Sequence, residues 1–119
     1  MITAVYLKTA AEVVRRQLEK GNVDRKLLAK LYGDYADVGD VKSFIDQALE
    51  MFPRLSCGVA SAYLRHELGE GVIVRGRYGL HDHTFLRLDD GTIVDVTADQ
   101  YGGPKIHVSP LSPPWSLKR

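Results

Sequence analysis

Apolar residues recur at helical spacing through the first half of the chain, and the period shortens toward two in the second half. Val13, Val14, Gln17 and Leu18 form a stripe of modest width. Thr9 followed by Glu12 is a capping-box signature, so a helix is expected over 10–20 with Gly21 as its stop. Asp24 is placed to cap a second helix carrying Leu27, Leu28, Leu31 and Tyr32 and ending near Gly33. Asp40 opens a third, in which Val41, Phe44, Ile45, Ala48, Leu49 and Phe52 recur on one side until Pro53 ends it. A fourth helix is expected to start at Ser56 as N-cap, run through 57–68 and close at Gly69. Ala60, Leu64 and Leu68 share a face with Cys57, so that side should press against the rest of the fold.

Val72, Ile73 and Val74 form a short β-branched run that reads as a strand, and the Gly76-Arg77-Tyr78-Gly79 string after it reads as a loop. The runs 84–88 and 92–96 flank Asp89-Asp90-Gly91, a three-residue hairpin closure with Gly91 left-handed. Residues 105–108 can add an edge strand. The stretch 109–119, with three prolines, is expected to be irregular and pinned to the body by Trp115. The pattern predicts an α+β domain, with helices first and a core helix packed on a small antiparallel sheet. One domain is expected over 1–119: a helical part at 1–52, a core at 53–108 and a tail at 109–119.

Composition narrows the function classes. A net charge of +1 gives no basic face or stripe, so nucleic acid is not an expected partner. No apolar run approaches the roughly 18 residues that would span a bilayer, and the first residues lack a basic leader before an apolar stretch. A cytoplasmic location is the default expectation, and export by a signal-independent machine would be compatible with the same residues. The single cysteine rules out an internal disulfide and a zinc site of several thiolates.

That cysteine is the candidate nucleophile. Cys57 falls in the first turn of the fourth predicted helix, where unpaired amides stabilise a thiolate and can later hold an oxyanion. Gly58 removes a side chain beside the sulfur. The competing reading is a small buried thiol with no chemistry. In the expected hairpin register Leu88 faces Thr92, so odd-numbered residues of both strands share a face and His83 comes directly or diagonally across from Asp95. A carboxylate there accepts from one imidazole nitrogen and leaves the other for a thiol. A one-residue slip would separate the two. His81 and His83 form an H-x-H pair, with Asp82 or His107 nearby, but no spacing completes a metal-ligand set. No metal or cofactor is expected, and His81 is assigned to the rim. His66 lies on the helix face away from Cys57.

The order of these residues is informative: a cysteine opening a helix, a histidine in a strand, an aspartate in the next strand. The strings Ser56-Cys57-Gly58-Val59-Ala60-Ser61, His83-Thr84-Phe85-Leu86 and Gly91-Thr92-Ile93-Val94-Asp95-Val96-Thr97-Ala98-Asp99-Gln100 carry it. Together they resemble the transglutaminase-like branch of the papain-like cysteine enzymes, small bacterial members included, over roughly residues 53–100. The resemblance implies a papain-like core and a catalytic Cys57, His83 and Asp95. It implies a hydrolase or acyl transferase working on an amide or ester of a peptide, protein or small molecule: a peptidase, an amidase or a glutamine deamidase. The glutamine that precedes the cysteine in the papain pattern has no counterpart, since Gln47 lies too far upstream. Gln100 is the substitute oxyanion donor, with Ser56 and Gly58 beside it at the rim. A non-catalytic binding module that keeps the fold, holding a partner through the cleft or through Arg75, Arg77 and Tyr78, is the alternative.

Overall fold

A computed structural model describes residues 3–117. Four helices come first: α1 (Ala4–Lys20), α2 (Arg25–Tyr35), α3 (Val41–Glu50) and α4 (Cys57–Leu68). Five strands follow: β1 (Val72–Tyr78), β2 (His81–Arg87), β3 (Thr92–Asp95), β4 (His107–Pro110) and β5 (Trp115–Leu117). A 3₁₀ turn at Ala98–Tyr101 separates β3 from β4. The strands form one antiparallel sheet in the order β4-β3-β2-β1-β5. The architecture is α+β. No helix among the described residues is long and apolar enough to cross a membrane.

Side-chain caps set three of the helix starts. The Asp24 carboxylate accepts from the Lys26 and Leu27 amides, and Asp40 accepts from Ser43. α1 begins earlier than the Thr9–Glu12 pair suggests. Thr3 is its cap, accepting from Tyr6 N, and Thr9 lies in the helix interior. The cause is Leu7, which extends the buried row Ala11, Val14, Leu18 by a full turn, with no breaker in between. Val13, assigned to that stripe, is partly exposed instead. α2 runs through Gly33 to Tyr35, because Gly33 does not take the positive φ that would stop a helix.

α4 is buried from Val59 to Leu64 and again at Leu68, between α1 and α2 on one side and the sheet on the other. The sheet face toward the helices contributes Leu86, Leu88, Val94 and Val96 to that core. The opposite face carries a smaller cluster of Phe85, Ile93, Ala98 and Trp115.

Two readings of the second half are corrected. Gly76 lies inside β1, not in a loop, and a Cβ there would meet the Ser116 carbonyl at 2.5 Å and the Phe85 ring at 2.8 Å. Glycine is needed because β5 and Phe85 both press on that backbone. The turn falls later, at Gly79 and Leu80, with Gly79 at φ 61° as a two-residue hairpin demands. The tail is not irregular either. β4 extends through Pro110 along β3, and β5 pairs with β1 through Gly76↔Leu117 and Tyr78↔Trp115. Proline is tolerated because both are edge strands.

Candidate active site

The β2–β3 hairpin closes as its sequence demands. The Leu88 amide donates to the Thr92 carbonyl at 2.9 Å, and Gly91 sits at φ 91°. Leu86 pairs with Val94 and Arg87 with Ile93, which places Asp95 diagonally across from His83. Their side chains meet, with His83 Nε2 2.7 Å from Asp95 Oδ2 and both essentially inaccessible to solvent. The carboxylate has further donors. Trp115 Nε1 donates to the same Oδ2 at 2.7 Å, and the Thr97 amide donates to Oδ1 at 2.9 Å. With Nε2–H committed to Asp95, the other nitrogen, Nδ1, is left buried with no hydrogen-bond partner. A neutral ring so held presents a bare acceptor at Nδ1.

Cys57 lies at the first position of α4, half-buried, and it and His83 each shift the other's proton affinity. Burial alone would raise the thiol. The His83 imidazole and the backbone and hydroxyl of Thr84 outweigh it, so Cys57 is held below the ordinary thiol range. Burial would likewise lower His83, but Asp95 and then Cys57 push it up to about 9. Both shifts favour a thiolate facing an imidazolium. Aromatic rings surround the imidazole: Tyr101 meets it edge-on at 5.4 Å, Tyr78 edge-on at 6.4 Å, and Phe85 tilted at 6.2 Å.

The rim residues divide. Gly58 lies against the Tyr32 ring, where a Cβ would come within 2.8 Å of it. Gln100 lines the cavity next to Cys57, and its Nε2 is buried without a partner. Ser56 precedes the helix but does not cap it with its side chain, which donates instead to the Ala48 and Arg54 carbonyls. That hydroxyl is taken up by backbone carbonyls, and the N-cap side chain leaves the first-turn amides of α4 uncapped. His81 is exposed and stacks flat on Tyr101, with centroids 4.3 Å apart, so it backs a site residue without lining the cavity. His66 is exposed. His107 stacks on Trp115 at 3.7 Å, and burial holds it below the usual imidazole range. Among the described residues no three His, Cys, Asp or Glu side chains gather as a metal site.

The cavity at the thiol measures about 320 Å³ and draws on α2, α3, the α3–α4 loop, the start of α4, β1, β2 and the 3₁₀ turn. A neighbouring hollow of about 360 Å³, between α2, α4 and the start of β1, shares only Tyr35 with it and holds no nucleophile. Sequence reasoning missed Trp115 as a donor to Asp95, Tyr101 as a neighbour of His83, and Tyr32 as the wall beside Gly58. The one available signal was that a buried tryptophan N–H seeks an acceptor. Asp99, unexplained by the sequence, forms a two-pronged pair with Arg15 at 2.7 and 2.8 Å, anchoring the turn that carries Gln100 and Tyr101. Compared with known proteins, the chain matches no family model, no curated protein and no solved structure.

Proposed function

We propose that this chain is a cysteine-nucleophile hydrolase or acyl transferase acting on amide or ester bonds, on a papain-like core of the transglutaminase-like kind. The observation that carries the reading is the buried His83, fixed by Asp95 at Nε2 and unpartnered at Nδ1, in electrostatic contact with Cys57.

In this reading Nδ1 takes the Cys57 proton, and the thiolate attacks the substrate carbonyl carbon. The carbonyl π pair moves to oxygen, where the uncapped Cys57 amide and the Gln100 side-chain amide donate to it. Collapse expels the amine or alcohol, which leaves with the proton from Nδ1, and a thioester remains on Cys57. Water, deprotonated by Nδ1, then attacks the thioester and restores the thiolate; an amine in its place gives transfer. Asp95 keeps the ring in register through both half-reactions.

The test uses p-nitrophenyl acetate as a generic acyl donor. The expected result is release of p-nitrophenolate together with an acetyl adduct on Cys57 by mass spectrometry, with both lost in Cys57→Ala. A folded wild-type chain that gives neither product nor adduct would sink the enzyme reading and leave the binding-module alternative.

A further inference from the structure

The cavity beside Cys57 is lopsided in its chemistry. Tyr32, Tyr35, Phe44, Tyr101 and Leu55 give it apolar walls, and Arg75 is its one cationic lining residue. Arg75 stands directly across from Thr84 in the β1–β2 register, so the two side chains leave the same face of the sheet. Thr84 is also the residue that contacts Cys57. The guanidinium is held in one orientation, with Nε donating to the Tyr35 hydroxyl at 2.9 Å and the group lying 5.2 Å over the Tyr35 ring. Its terminal nitrogens remain available. Arg15, Arg25, Arg77 and Lys30 each have a carboxylate within ion-pair distance, whereas none pairs with Arg75 among the described residues. An oriented arginine fork without an internal acid recognises a planar carboxylate.

We infer that the substrate of this site presents an apolar, ring-sized group next to a carboxylate, the group packing on the stacked Tyr32–Phe44 pair (4.9 Å between centroids) and the carboxylate meeting Arg75. The inference rests on the cysteine-nucleophile reading and names its substrate class. Cationic substrates are disfavoured, because they would face Arg75.

Two alkylating reagents that differ only in charge test it: N-iodoacetyl-phenylalanine and N-iodoacetyl-phenylalaninamide. The same thiolate attacks both, displacing iodide, so the ratio of their rate constants cancels any change in Cys57 itself. At low ionic strength the wild type should favour the acid by about tenfold. Arg75→Gln should collapse the ratio to near one, and Arg75→Lys should fall between. A wild-type ratio near one, or a tenfold ratio that survives Arg75→Gln, overturns the inference while leaving the thiol chemistry intact. Failure of the underlying reading looks different: neither reagent would label Cys57 faster than it labels free cysteine, and the substrate assignment would fall with it.

Discussion

Two side chains on one carboxylate oxygen decide which way the imidazole faces. His83 Nε2 and Trp115 Nε1 both lie 2.7 Å from Asp95 Oδ2, and Thr97 fixes the other oxygen, so the carboxylate cannot rotate away. Folding raises His83 from 6.5 to about 9. Its contribution to stability is therefore fully present below pH 6.5 and is lost as pH rises through about 9. Cys57 runs the other way, contributing above the ordinary thiol value of 9.0 and losing that contribution as pH falls through its lowered one. The two protons belong to one pair and leave in two steps, with the thiolate–imidazolium form between them. The alkylation rate of Cys57 by iodoacetamide should accordingly rise to its thiolate plateau with an inflection below the free-thiol value of 9.0. In His83→Gln, only the Thr84 hydrogen bonds are left to oppose burial, and the inflection should move up toward 9.0. A wild-type inflection already at that value would remove the ion pair.

At the scale of elements, the closing strand completes the site. β5 brings Trp115 over His107 and against Tyr78, and it can approach β1 only because position 76 has no side chain. Gly76→Ala would drive a methyl group into the Ser116 carbonyl. A loss of about 1–3 kcal/mol is expected, read as a lower urea midpoint, together with altered tryptophan fluorescence as Trp115 leaves its pocket. An unchanged midpoint would mean that β5 contributes little. What the sequence made legible here was local. Asp24 and Asp40 mark helix starts through their own short hydrogen bonds, and Asp89-Asp90-Gly91 sets a register that carries His83 onto the side of Asp95. β5 was illegible because two prolines immediately precede a three-residue strand whose partner lies about 40 residues upstream. Gly76 misled for a related reason: glycine in a string with a second glycine signals a turn, and only the Phe85 and Ser116 contacts explain it in a strand.

Across the whole molecule, Arg15 ties the helical half to the site. It is buried in α1, pairs with both oxygens of Asp99, donates to the Val96 carbonyl at 2.8 Å and lies over the Phe52 ring at 4.7 Å. One guanidinium thus links the first helix, the loop before α4 and the turn bearing Gln100 and Tyr101. No motif announces this link, since Arg15 and Asp99 lie 84 residues apart and each looks like an ordinary surface charge. Replacing Arg15 with Met leaves the Asp99 carboxylate half-buried and unpaired, which should cost about 2–4 kcal/mol by urea unfolding; a change under about 1 kcal/mol would mark the pair as no better than a solvated one. The short strand that carries Trp115 has a different consequence. Edge strands of that length open at a free-energy cost below that of global unfolding, and each opening takes from Asp95 one of the two donors on the oxygen that steers His83. The fraction of molecules with the imidazole in register at any instant is then governed by local breathing at the margin of the sheet, and hydrogen-exchange protection of β5 reports that population.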